Sequence, residues 1–226
     1  MDYSQVPIIL MLAFGLGLLH SLDADHIMAV SNLASSRPNR KATTQFCLRW
    51  ALGHGLTLLT VGTLFFAFGL SLPASISHYA EIAVGIVLII IGVLVLVELL
   101  RKRAHIHFHE HSGLPAHAHW HSHHKQKSHH HSHTAIFVGI LHGLAGSAPL
   151  LALIPIATSE QPVYGFLYLL IFSLGVMTSM LIFGGVLGLF TKKVLDMSEL
   201  LFRWVRGILG LSAIAVGGIL IRGVVQ

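Results

Sequence analysis

Six runs of about twenty mostly apolar residues constrain this chain more than anything else in it. They fall at roughly 6–30, 50–70, 79–100, 135–157, 163–190 and 204–222. An α-helix rises about 1.5 Å per residue, so about 20 such residues cross the ~30 Å hydrocarbon core of a bilayer. Only 10% of the 226 residues are charged and 54% are hydrophobic, against about 25% charged in a soluble domain. The sequence therefore predicts an all-α integral membrane protein with about six transmembrane helices in one membrane domain. The 22 glycines suit close helix packing. Met1–Pro7 has no basic residue, so the first run is expected to be a retained helix rather than a cleaved signal peptide. The single cysteine, Cys47, excludes a disulfide within the chain and argues against a cysteine-based metal site.

The basic residues set the expected topology. Arg37, Arg40, Lys41 and Arg49 lie between the first and second runs, or at their edges. Arg101, Lys102, Arg103, Lys125 and Lys127 lie between the third and fourth, and Lys192, Lys193, Arg203 and Arg206 between the fifth and sixth. Thirteen of the 14 Lys and Arg thus fall in alternate connections, with only Arg222 on the other side. By the positive-inside rule those three connections are cytoplasmic, and both termini face outward. Basic residues used this way are topology signals and do not suggest nucleic-acid binding.

The chain also repeats itself. "GLLHSL" at Gly17–Leu22 returns as "GILHGL" at Gly139–Leu144, 122 residues later. The same offset relates Leu52–Gly53 to Leu174–Gly175 and Gly85–Ile86 to Gly207–Ile208. Each half then holds three helices, and an odd number inverts the second half relative to the first. Two inverted three-helix repeats are a transporter architecture, with the site near the midplane. The expected division is 1–103 for the first repeat, 104–134 for a cytoplasmic loop and 135–226 for the second repeat. That loop carries 13 of the 18 histidines: His105, His107, His109, His111, His117, His119, His121, His123, His124, His129, His130, His131 and His133. It is polar, of low complexity and expected to be disordered, an auxiliary metal-binding segment of little selectivity.

The chemistry concentrates in "HSLDADHIMAV" from His20. At about 100° per residue, His20, Asp23 and His26 share one face of a regular helix and Asp25 does not. Asp25 joins them only if the helix unwinds or bends, so an irregularity is expected between Ser21 and Asp25. Imidazole nitrogen with carboxylate oxygen suits borderline divalent metals such as Ni and Cu. The adjacent aspartate can also orient a ligating imidazole. His54, between two glycines, is the candidate further ligand, so the expected metal residues are His20, Asp25, His26 and His54. Asp23, His142, Ser147, Met177 and Thr178 are candidates for the path or for bracing the ligands. His142 is the repeat partner of His20, while Ser147 and Ala148 stand where Asp25 and His26 would recur. Glu98, just before Arg101–Arg103, is expected to be a helix-end charge with basic neighbours.

These motifs resemble a known family. "HSLDADHIMAV" resembles the His-x4-Asp-His signature of the NiCoT nickel/cobalt transporters, and "LGHGLTLLTVG" is similar to their second motif. "LHGLAGSAPLL" resembles the smaller relatives grouped with urease-accessory-type nickel transporters. The resemblance covers both transmembrane halves but not the histidine loop. It implies metal recognition by His20, Asp25 and His26, assisted by His54.

The leading expectation is a secondary transporter of Ni2+ or Co2+ in the cytoplasmic membrane, with uptake favoured and no resident cofactor. Its partners would be the metal ion, membrane lipid and, as a further class, cytosolic nickel-handling proteins. No P-loop sequence is present. Efflux is the alternative within the class, and the histidine loop fits both directions. The alternative from another class is a membrane acyltransferase using His20 and Asp25 as a His-x4-Asp pair. That reading leaves His26 and the histidine loop without a role.

Overall fold

The computed structural model describes residues 6–35, 39–68, 74–101, 107–109, 117–119, 132–145 and 162–226. Its helices are α1 (Val6–His20), α2 (Ala24–Ser35), α3 (Arg40–Phe68), α4 (Ala74–Arg101), α5 (Ser132–Ala145), α6 (Pro162–Met197) and α7 (Glu199–Val225). Within the histidine-rich stretch, β1 (His107–His109) pairs antiparallel with β2 (His117–His119). The rest of 104–131 lies outside the described residues.

Among the described residues, α4, α6 and α7 are each long and apolar enough to cross a membrane. The α1–α2 pair makes a fourth such span, broken and bent by 54°. The expected second run lies inside α3 as far as Phe68, and the expected fourth is described only as α5, to Ala145. Asn39 starts α3 ten residues earlier than the apolar run suggested. Its side-chain oxygen accepts from the amides of Lys41 (2.9 Å) and Ala42 (3.3 Å), as an N-cap does. Between α6 and α7 the expected basic connection is a single residue. Ser198 breaks the helix with φ −166° and ψ 124°, and its side chain accepts from the Leu201 amide. Lys192, Lys193, Arg203 and Arg206 therefore sit on helix ends rather than in a loop. Arg206 reaches across to Glu98 at 2.8 Å, and Arg203 donates to the Leu99 carbonyl at 3.3 Å. These bonds tie α7 to α4, where sequence neighbours alone had suggested Arg101–Arg103 as company for Glu98.

Helices α3 and α6 pack along each other, α4 packs on α7, α1 on α6 and α3 on α5. The closest crossings are made by glycine. A methyl on Gly17 would overlap the Phe172 carbonyl oxygen, and one on Gly175 that of Phe14. A methyl on Gly53 would overlap the Ile136 oxygen, and one on Gly139 that of Trp50. Only a residue without Cβ lets the backbones meet this closely. The core around these crossings includes Trp50, Leu58, Leu169, Phe172, Val176 and Met180.

Candidate metal centre

The site begins where α1 fails to continue. After His20 the chain closes with short-range bonds: Leu22 N–H to Leu19 O (2.9 Å) and Asp23 N–H to His20 O (3.1 Å). The Ser21 hydroxyl donates to Leu18 O at 2.8 Å. These bonds satisfy the last carbonyls of α1 while turning the chain. The Ile27 amide then donates to Asp23 O at 3.0 Å, and α2 is under way. The break at Ser21–Asp23 is the irregularity the motif spacing required.

The break points His20 and His26 at each other and at α3. Ring centroids lie 4.6 Å apart for His20 and His26, 5.5 Å for His20 and His54, and 5.3 Å for His26 and His54. Each of the three offers a nitrogen within 4.8 Å of the other two. His142, from α5, lies against His26 at 5.1 Å.

The hydrogen bonds sort the two nitrogens of each ring. Nδ1 of His20 bonds Asp23 at 2.8 Å, and Nδ1 of His26 bonds Asp25 at 2.9 Å. Nδ1 of His142 donates to the Val138 carbonyl at 2.8 Å. In all three the Nε2 atom is buried and has no hydrogen-bond partner, and both nitrogens of His54 are in the same state. Buried polar atoms are normally paired, because desolvating them unpaired is costly. A carboxylate behind a histidine fixes its tautomer and ring orientation and raises its basicity as a metal ligand. Three of the rings are thus held through Nδ1 with Nε2 left free, and donor nitrogens of His20, His26 and His54 lie within 4.8 Å of one another.

The expected residues divide by position. His20, His26 and His54 come together. Asp25 stands behind His26 through Oδ1, and its Oδ2 lies 3.9 Å from His142 Nε2. The Asp23 side chain is 52% exposed; it bonds His20 at 2.8 Å, and a carboxylate oxygen also lies within 4.8 Å of donor atoms of Asp25 and His26. Met177 packs against the core. The Thr178 hydroxyl donates back to Leu174 O on its own helix at 2.8 Å. Ser147 lies outside the described residues, as do most of the loop histidines.

Trp50 and Phe172 were not anticipated. The fully buried Trp50 stacks on His54 (5.1 Å, 14°) and meets His26 and His142 edge-on at 5.0 and 5.6 Å. Phe172 lies 5.5 Å from His20. The available signal was spacing, since Trp50 sits one helical turn before His54.

Long apolar helices, a broken span and a buried imidazole cluster backed by carboxylates define a helical membrane protein with a metal-type donor set. Comparison places the chain more narrowly. It belongs to the family described as the cytochrome c biogenesis protein transmembrane region, which it matches over residues 13–219. It is also similar to the urease accessory protein UreH of Bacillus sp. (strain TB-90), 32% identical over 189 residues. That similarity covers 84% of this chain and 80% of the relative. No solved structure matches.

Proposed function

We propose that the protein is a secondary transporter carrying Ni2+ or Co2+ into the cell across the cytoplasmic membrane. The observation that carries this reading is the group of three imidazoles, His20, His26 and His54, whose buried, unpartnered nitrogens lie close to one another. Imidazole selects Ni, Co, Zn and Cu over Mg and Ca, which prefer oxygen. The similarity to a urease accessory protein and the resemblance of the motifs to nickel/cobalt transporters favour nickel within that set. The other family description names cytochrome c biogenesis. A thiol relay within the chain would need a dithiol, and this chain has only the buried Cys47.

The architecture we propose is six spans in two inverted repeats, with both termini outside. The glycine crossings support it. Gly17 and Gly139 are 122 residues apart, as are Gly53 and Gly175. The crossing of α1 on α6 is therefore the counterpart of the crossing of α5 on α3, the relation a repeat with that offset requires. Cargo sheds water onto His20, His26 and His54, with Asp23 and Asp25 holding the first two rings. Rocking of one half against the other then opens the site inward. An inside-negative potential supplies about 4.6 kcal/mol per 100 mV for a divalent cation, at about 2.3 per charge. The histidines of 104–134 receive the ion on the cytoplasmic side.

The test is flux of radiolabelled Ni2+ and Co2+ into proteoliposomes of known orientation. Wild type should accumulate metal under an inside-negative potential, His20→Ala should not, and deletion of 104–134 should retain most of the flux. Absence of metal movement by wild type sinks the transporter reading. Movement only in the opposite sense replaces uptake by efflux. Acyl transfer lost in His20→Ala, without metal flux, replaces both by an enzyme.

A further inference from the structure

His142 is the fourth imidazole of the cluster, and its ring can be read atom by atom. A carbonyl oxygen only accepts, so the 2.8 Å bond to Val138 O puts the ring hydrogen on Nδ1. Nε2 of the neutral ring then carries a lone pair. That atom is buried and makes no hydrogen bond. The side-chain oxygen facing it is Asp25 Oδ2, 3.9 Å away, with the Asp25 backbone also beside the ring. A carboxylate is also acceptor-only, and its other oxygen is already held by His26 Nδ1 at 2.9 Å. With the ring neutral, two acceptors face each other across 3.9 Å. Such a gap favours a cation. A metal with bonds of about 2.1 Å to each would subtend roughly 140°, between the tetrahedral angle and a trans pair, so both atoms are within reach of one ion after a small closure of the gap.

We propose that His142 Nε2 and Asp25 Oδ2 form a second station for the divalent metal cargo, beside the three-imidazole station and handed ions by it. The idea rests on the transporter reading and adds a step to it. The first station is built from α1, α2 and α3, whereas His142 comes from α5 in the other half. Asp25 belongs to both, bracing His26 with one oxygen and facing His142 with the other. An ion can therefore exchange ligands one at a time across Asp25 without becoming bare. Binding at adjacent sites, tight enough to enter and shared enough to leave, is what conduction demands. Trp50 touches His26, His54 and His142, so it borders both stations.

The test is Co2+ titration of the purified full chain in lipid nanodiscs, read by visible absorption and by bound-metal count. Four forms are compared: wild type, His54→Ala, His142→Ala and His142→Cys. The loop histidines bind equally in all four, so differences report the buried stations. His142→Ala should lose one Co2+ that wild type holds, with the affinity of the first station unchanged within about threefold. His54→Ala should lose a different one, weakening the first station by about tenfold or more. His142→Cys should regain an ion and show a thiolate-to-cobalt charge-transfer band. Wild type, whose Cys47 lies against Gly184, should lack that band. A purely structural histidine would give no such band. An unchanged count in His142→Ala overturns the proposal, as does a His142→Cys protein that binds cobalt without the band. Loss of one and the same ion in His54→Ala and His142→Ala also overturns it, leaving a single station of four ligands. Wild type that holds both ions but moves neither in the flux assay defeats the transporter reading while the second station stands.

Discussion

Replacing Gly17 by alanine tests whether backbone approach sets the metal geometry. The added methyl would overlap the Phe172 carbonyl oxygen and stand 3.0 Å from its carbon and 3.1 Å from the Val176 amide nitrogen. All three are backbone atoms of α6 and cannot rotate away. Clearing the oxygen takes a retreat of α1 by roughly 1 Å, and overpacking of this kind costs about 1–3 kcal/mol. His20 sits three residues further along α1 and moves with it. Metal–ligand distances tolerate only about 0.2 Å, so a shift of that size removes His20 from the ligand set. We expect metal affinity to fall by about 10–100-fold, the range seen when support behind a metal ligand is lost. Gly15 lies on the same helix and has nothing within 4 Å of its would-be methyl. Gly15→Ala should therefore bind metal like wild type. The assay is Co2+ titration of both variants, with thermal unfolding in the same detergent to read the packing cost. Equal affinity and equal stability of Gly17→Ala and Gly15→Ala would refute the argument that the α1–α6 crossing positions His20.

Asp25→Asn should weaken metal binding by about 10–100-fold, and Asp23→Asn by less, because Asp23 is half exposed and braces one ring only; isothermal titration ranks the two. In a protein with Trp120 and Trp204 replaced by Phe, Ni2+ or Co2+ should quench the Trp50 emission, which His54→Ala should largely abolish; undiminished emission at saturating metal would place the cargo away from Trp50. Histidines in 104–134 bind metal only when neutral, so the ions lost on deleting this segment should be held above about pH 6.5 and released as pH falls through it; a metal count that does not change with pH between 5 and 8 contradicts that role.

Much of this was legible because membrane burial makes ionisable groups costly and therefore informative. Spacing alone separated Asp25 from the face shared by His20 and His26. It thereby required the break that the structure places at Ser21–Asp23. The glycines flanking His54 signalled a close helix approach, and Gly53 does meet Ile136 of α5, but they did not signal that His54 faces the break. Trp50 escaped because an aromatic residue near a basic helix start, with Arg49 beside it, reads as an interfacial anchor. The Glu98–Arg206 pair escaped because it joins residues 108 apart in sequence, while three basic residues follow Glu98 at once. The one-residue corner at Ser198 was hidden by the charges on its flanks, which look like a loop and instead lie on helix ends.

A span cut at Ser21–Asp23 is also a poor substrate for insertion into the membrane. The 15 residues of α1 reach about 22 Å, short of the ~30 Å hydrocarbon core. Extending it draws in Asp23 and Asp25, each costing about 2.5–3.5 kcal/mol near a helix centre on the insertion scale. What secures α1 is its crossing with α6, at Gly17 and Gly175, and α6 begins at Pro162. Helix α1 is thus fixed only after residues as far on as Gly175, 158 positions later, have been made. Until then the imidazoles have no common space to share, and a half-built protein offers no metal path through the bilayer.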